Sequence, residues 1–194
     1  TVVVFRASDH FEVSARMRLN VSDNYERSEE PRSFQDAFGR SNGRYRTDRN
    51  KFKLGVDLDI NSHLACEWFY RNEYTGYSRA DLDNSFLNQT GSRLEYAIDD
   101  ANRVGLGYEF ASRDFSSGTS VTNNSLTADY GHNFTKQLKL LLKVGEDFVD
   151  SETSGSSQQA RYEVSLLNDL DETTRAGLSY RRGLNSYAYS QDLF

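Results

Sequence analysis

One proline, one cysteine and one methionine occur in 194 residues. So little proline suits long uninterrupted strands, because proline cannot donate to a β-ladder. The lone Cys66 excludes an internal disulfide, and without a Cys-x-x-Cys or Cys/His cluster nothing calls for a metal or a cofactor. No stretch approaches the roughly 18 consecutive apolar residues of a membrane-spanning helix. That test is silent about strands that cross a membrane, which are only about ten residues long and alternate. No Lys/Arg run offsets the net charge of −6, which argues against a nucleic-acid partner. The chain opens at Thr1 with neither Met nor a charged-then-apolar leader, so a processed mature chain or a piece of something larger is expected.

What is present is aromatic and alternating. There are 12 Tyr, 12 Phe and 13 Gly, within a composition 37% hydrophobic and 27% charged and a mean hydropathy of −0.74. Composition alone would describe a polar soluble protein. In KFKLGVDLDI (51–60), however, Phe52, Leu54, Val56, Leu58 and Ile60 alternate with Lys51, Lys53, Gly55, Asp57 and Asp59. Side chains of a strand point alternately to its two faces, so this segment has one apolar and one charged face. The pattern recurs in FEVSARMRLNV (11–21), RVGLGYEF (103–110), NSLTADYGHNF (124–134) and LKLLLKVGEDF (138–148). No segment shows a sustained helical period, and the chain reads as all-β.

About ten strands are expected, at 11–21, 25–34, 43–60, 63–74, 87–98, 103–112, 123–134, 138–148, 160–170 and 174–184. Residues 1–7, TVVVFRA, are expected to be either one further strand or part of an N-terminal arm spanning 1–10. Short polar turns are expected at Asn61-Ser62, Asp99 to Asn102, Thr135 to Gln137 and Asp171 to Thr173. Stepping back by the same interval suggests another at Ser22-Asp23-Asn24. Longer polar stretches, 72–86, 111–122 and 149–159, separate these hairpins. Tight ends and loose ends therefore alternate, which is the up-and-down meander of an antiparallel barrel spanning a membrane, with short turns on one rim and loops on the other.

An apolar face can meet a protein core or lipid. A soluble β-sandwich acting as a binding module is the alternative, since its strands alternate too. Lipid is favoured by strand length, by glycines mixed with both charge signs on the polar face, and by aromatics near strand ends. Trp68, Tyr70, Tyr108, Phe110, Phe134 and Phe148 form the expected aromatic girdle. On the opposite face, Arg16, Arg18, Lys51, Lys53, Arg93, Arg103, Lys139, Lys143, Arg161, Arg175 and Arg181 are the expected basic pore lining. Asp57, Asp59, Glu67, Glu95, Glu109, Asp129, Asp147 and Glu163 are its acidic part. Such a balance either lines a wet channel or pairs up and plugs a narrow one.

LLNDLDETTRAGLSYRRGLNSYAYSQDLF and YGHNFTKQLKLLLKVGEDFVDSETSG resemble the bacterial outer-membrane β-barrel proteins described as porins of exopolysaccharide gene clusters. The likeness spans most of 43–194. It implies residence in the bacterial outer membrane, contact with outer-membrane lipid, and a role as a pore or export conduit for an exopolysaccharide or small polar solutes, alongside other export-system proteins. Those proteins are longer, so 1–194 is expected to be one barrel domain or part of a larger barrel. Phe194 is terminal, but SYAYSQDLF does not alternate as a closing strand would.

No catalytic set is expected. His132 sits on the apolar face near Tyr130, with Ser125 on the opposite face, which opposes a Ser–His dyad. Asp99-Asp100 is ordinary turn chemistry, and His63 merely follows a turn. Asp81, Asp83 and Asn84 in RADLDNS lack the glycine and distal glutamate of a calcium loop. The remaining alternative is a non-conducting structural or adhesive barrel that binds partners through its long loops.

Overall fold

The computed structural model describes residues 2–29, 46–79, 82–170 and 174–182. Among the described residues ten strands follow one another: β1 (Val2–Ser14), β2 (Met17–Ser28), β3 (Thr47–Asp59), β4 (Leu64–Tyr77), β5 (Ser85–Ala97), β6 (Asn102–Phe115), β7 (Ser120–Asn133), β8 (Leu138–Ser151), β9 (Gly155–Asp169) and β10 (Arg175–Arg182). They form a single antiparallel sheet in sequence order, each strand hydrogen-bonded to its chain neighbours. This is the expected up-and-down all-β architecture, that of a transmembrane barrel.

The register shows which face is which. Leu58, Cys66, Leu94, Leu106, Ala128 and Val144 are cross-strand neighbours from β3 to β8 on one face. This apolar face is the exposed one: Leu106 is 63% and Leu178 76% accessible. Polar side chains near the middle of the other face are covered, with Asp147 at 0% and Ser125 at 1%. A sandwich would lay a second sheet over the apolar side, yet all ten strands belong to one sheet. The apolar face therefore has no protein partner among the described residues, and lipid is the solvent that suits it.

Three turns on one rim share one construction. The Asn61 Oδ1 accepts from the backbone N–H of His63 and Leu64 (2.8 and 2.9 Å). The Asp99 Oδ1 does the same for Ala101 and Asn102 (2.8 and 2.7 Å), and Thr135 Oγ1 for Gln137 and Leu138 (3.1 and 2.9 Å). A side-chain oxygen thus satisfies two backbone donors that a reversal leaves open. Those donors, with the Asn102 side chain acting first, hold the Asp99 carboxyl below its ordinary range. The turn at Asp171 to Thr173 lies outside the described residues, although Leu170 N–H bonds Thr174 O at 2.9 Å as its counterparts do.

Several expectations are corrected. Residues 11–21 are not one strand but a hairpin reversing at Ala15-Arg16, and Val2 to His10 lie within β1 rather than in an arm. The same alternation continues on both sides of the reversal, which hides it in the sequence. Ser22-Asp23-Asn24 is no turn; it pairs with Lys53, Phe52 and Lys51 in the middle of β2. The polar stretches 111–122 and 149–159 are mostly strand, reversing through Ser116–Thr119 and Glu152–Ser154. Gly118 and Gly155, at φ 89° and 75°, make those tight reversals possible. On the loose rim β4 and β5 stay further apart in sequence, ending at Tyr77 and starting at Ser85. Pro31 and residues 183–194, Phe194 included, lie outside the described residues, as does Asp81.

Glycine sets how closely two strands approach. A Cβ on Gly145 would fall 2.4 Å from the Leu126 carbonyl oxygen and 3.1 Å from Thr127 Cα, both backbone atoms. Gly145→Ala must therefore push β7 from β8 and is expected to cost about 1–3 kcal/mol. Gly55→Ala meets nothing nearer than 3.8 Å and should be nearly neutral. Urea unfolding of the two variants side by side checks this; equal midpoints would refute it.

Candidate pore lumen

The polar face carries the expected charges at successive odd positions of β3 to β10 and even positions of β2. Arg18, Lys51, Lys53, Asp57, Asp59, Glu67, Arg93, Glu95, Arg103, Glu109, Asp129, Lys139, Lys143, Asp147, Arg161, Glu163, Arg175 and Arg181 all fall on it by register. Arg16 sits in the β1–β2 reversal at the rim of this face: its carbonyl accepts from Asp59 N–H at 2.8 Å, it borders a space with Asp59 and Glu95, and its guanidinium reaches Ile60 O at 3.4 Å.

Ion pairs join strands that are not neighbours. Arg93 on β5 makes two bonds to Asp129 on β7, Nε to Oδ1 at 2.9 Å and Nη2 to Oδ2 at 2.6 Å. Its path crosses β6 at Gly105 and Gly107. A Cβ at Gly105 would lie 2.6 Å from Asp129 Oδ1, so glycine keeps the crossing open. Arg93 also bonds Glu95 at 2.7 Å. Arg161 on β9 pairs with Asp147 at 3.2 Å and reaches Glu109 on β6 at 3.9 Å. Ser125 donates to the same Asp147 at 2.5 Å. Reach from β9 to β6 across two intervening strands requires the polar face to be concave.

The most densely charged part was not among the expected lining residues. Glu73, 2% accessible, accepts from Arg49 at 2.8 and 2.5 Å and from Arg71, and lies 3.6 Å from Lys51 Nζ. Arg113 stands in the same cross-strand row as Glu73, with Leu87 between them. The odd-numbered alternation already put Arg49, Arg71 and Glu73 on this face. Arg113 lay beyond the expected end of its strand at 112.

Among the described residues, spaces open on this face at the turn rim, where about 410 Å³ lies beside Arg16, Asp59 and Glu95, and at two places further along it. The larger, about 740 Å³, is bordered by His10, Asn20, Lys53, Phe69, Arg71 and Gln89. The smaller, about 330 Å³, is walled by Arg49, Arg71, Arg113 and Arg161, with Glu73 and Glu109. Lys53 makes no ion pair among the described residues.

The six girdle aromatics all fall on the apolar face. Tyr70 and Tyr108 each stand nine residues beyond the turn side chains Asn61 and Asp99, and Trp68, Phe110 and Phe148 lie near that level. Phe134 marks the other end, where its ring meets His132 edge-on at 4.6 Å. His132 shares Asn102 Oδ1 with Tyr130, at 2.8 and 2.6 Å. Between the two ends the outward residues are mostly apolar, with Ser92 beside Trp68 and Tyr108 and Glu146 beside Leu126 among the polar exceptions. Beyond Tyr70 and Tyr108 come Asn72, Asn88, Ser112 and Asp114, mixed with the exposed aromatics Tyr74 and Phe86, so the outward face becomes more polar toward that rim.

Comparison with solved structures decides the class. OmpT, an outer membrane protein of Vibrio cholerae, superposes with a TM-score of 0.54 at 9% identity, covering 98% of this chain and 83% of that one. Its trimer form gives the same score over 93% of this chain and 80% of the other. The fold is that of a bacterial outer-membrane β-barrel. A monoaromatic hydrocarbon channel, CymD, superposes with a TM-score of 0.50 at 13% identity, covering 95% of this chain and 73% of that one. No protein-family model matches the sequence, and no curated protein does. The exposed apolar belt accordingly belongs in the lipid of the outer membrane.

These comparisons also correct an expectation. The absence of catalysis is withdrawn: the structures matched over nearly all of this chain are outer membrane proteins called OmpT as well as a channel. A barrel wall shared at 9% identity does not separate chemistry from conduction, since function resides in residues grafted on the fold.

Proposed function

We propose that this chain forms the wall of an outer-membrane pore whose concave charged face passes polar solutes. The carrying observation is the pairing of an exposed apolar belt with a charged concavity that keeps about 740 Å³ open beside Lys53 and Arg71. The likeness to a structure named as a channel supports the reading. Its finer form is export of an exopolysaccharide with partner proteins of the export system, as the sequence resemblance implies.

Among the described residues no pairing joins β1 to β10. An unpaired strand edge in hydrocarbon costs several kcal/mol per backbone group. The two edges therefore meet each other, making residues 1–194 one barrel domain, or meet further strands of a larger barrel. A second reading, a plugged barrel with a structural or adhesive role, draws on the Arg93–Asp129 and Arg161–Glu109 pairs, which join non-neighbouring strands across the concave face.

Planar-bilayer recording tests these readings. The pore reading expects discrete current steps from the folded protein, and silence would favour the plugged barrel. Lys53→Glu changes the wall charge by two at the larger space and should shift permeability toward cations by roughly twofold. Unaltered selectivity would remove Lys53 from the conducting path. Interruption of the current by added exopolysaccharide fragments would support the export form.

A further inference from the structure

We propose that the smaller cavity, walled by Arg49, Arg71 and Arg113, is a binding site for a small, multiply charged oxyanion of phosphate or carboxylate type. The proposal relies on the pore reading only for the route by which the anion arrives.

Charge is the first ground. Arg49, Lys51 and Arg71 all converge on Glu73 within 4 Å, and Arg113 makes no ion pair among the described residues. Four cations thus face one carboxylate. The acids across the cavity redress this by one charge only, because Asp147 and Glu109 share Arg161, with Ser125 also donating to Asp147; two positive charges stay in excess.

Open donors are the second ground. Arg113 spends one N–H on Ser85 Oγ at 3.1 Å, while its Nε is buried without an acceptor, and so is the Nε of Arg71. A buried cationic N–H left unsatisfied is costly, and nothing in the chain answers these two. Both guanidiniums border the same 330 Å³ space. An oxyanion there could take paired N–H bonds from a planar guanidinium fork, which matches carboxylate and phosphate geometry better than an ammonium does. Buried Leu87 and Val149 form part of the wall, and lower local polarity strengthens each contact.

Position is the third. Glu73 lies three residues beyond Tyr70 and Arg113 five beyond Tyr108, on the side away from the Asn61 and Asp99 turns. The cavity therefore lies toward the rim opposite those turns, where a hydrated anion can reach it.

The test is calorimetric titration of the full chain, folded in detergent and checked by heat-modifiable gel migration, with inorganic phosphate and separately with succinate. One site per chain is expected, with affinity falling as NaCl rises. Arg113→Gln and Arg71→Gln should each weaken binding about tenfold or more, whereas Lys136→Gln in a distant turn should not. Tighter phosphate than succinate would assign a phosphate-type ligand, and the reverse a carboxylate. Should a glutamine variant not fold, Arg113→Lys, which keeps the charge and loses the fork, must still weaken binding. Heat from neither anion, or full affinity in a folded Arg113 variant, overturns the proposal. Binding without conductance would sink the pore reading and leave this site standing.

Discussion

Glu73→Gln is expected to lower the stability of the folded barrel by about 2–4 kcal/mol, the largest effect of any single charge removal on the concave face. Glu73 is 2% accessible and has three cationic partners, so its loss leaves their charges facing one another and Arg113. Removing one member of a buried ion pair costs about 3–5 kcal/mol, mostly through the stranded partner. The figure here is set lower because Arg49, Lys51 and Arg71 keep between a quarter and a third of their side-chain surface accessible. Repulsion between those cations is screened by salt, so the penalty should shrink as NaCl is raised. Urea unfolding in detergent, followed by gel mobility at low and high salt, measures both quantities. A change under half a kcal/mol would mean that Glu73 does not organise the cluster.

Leu94→Arg should cost a similar amount for a different reason. Leu94 is 45% accessible, on the apolar face beside Cys66 and Leu106, midway between the Asp99 turn and the aromatic level. Arginine at the midplane of an outer-membrane barrel costs about 2–4 kcal/mol, falling to about 0–1 near the interface. Ser112→Arg, on the same face but beyond Tyr108 and Phe110, should therefore cost about 0–1 kcal/mol. The contrast is read by unfolding from lipid vesicles. Equal penalties would deny the belt its place in lipid; a penalty at Ser112 alone would move the belt along the strands.

Much of this molecule was legible because alternation is a local property. Lys51 to Ile60 could be divided into two faces by inspection, and the register from β2 to β4 keeps that division. The turns at Asn61, Asp99 and Thr135 were legible for the same reason: a side-chain oxygen two and three residues before the amides it satisfies is written in the sequence. Where the same cue was read alone it failed. Ser22-Asp23-Asn24 has turn chemistry but lies in mid-strand, held there by pairing with β3, and the true reversal at Ala15-Arg16 carries no turn signature. Strand ends rich in Ser, Asn and Thr on β6 to β9 looked like loops, because outside lipid neither face needs to be apolar.

The sequence by itself determined the secondary structure class, the meander and the sorting of side chains into two faces, since each follows from a period of two along a single strand. Only the tertiary structure decided what lies opposite what. Whether the apolar face meets a second sheet depends on how ten strands associate, and that Arg49, Lys51, Arg71 and Arg113 gather around one Glu73 depends on the register of β3, β4, β5 and β6. Such coincidences are long-range pairings, which no local pattern encodes.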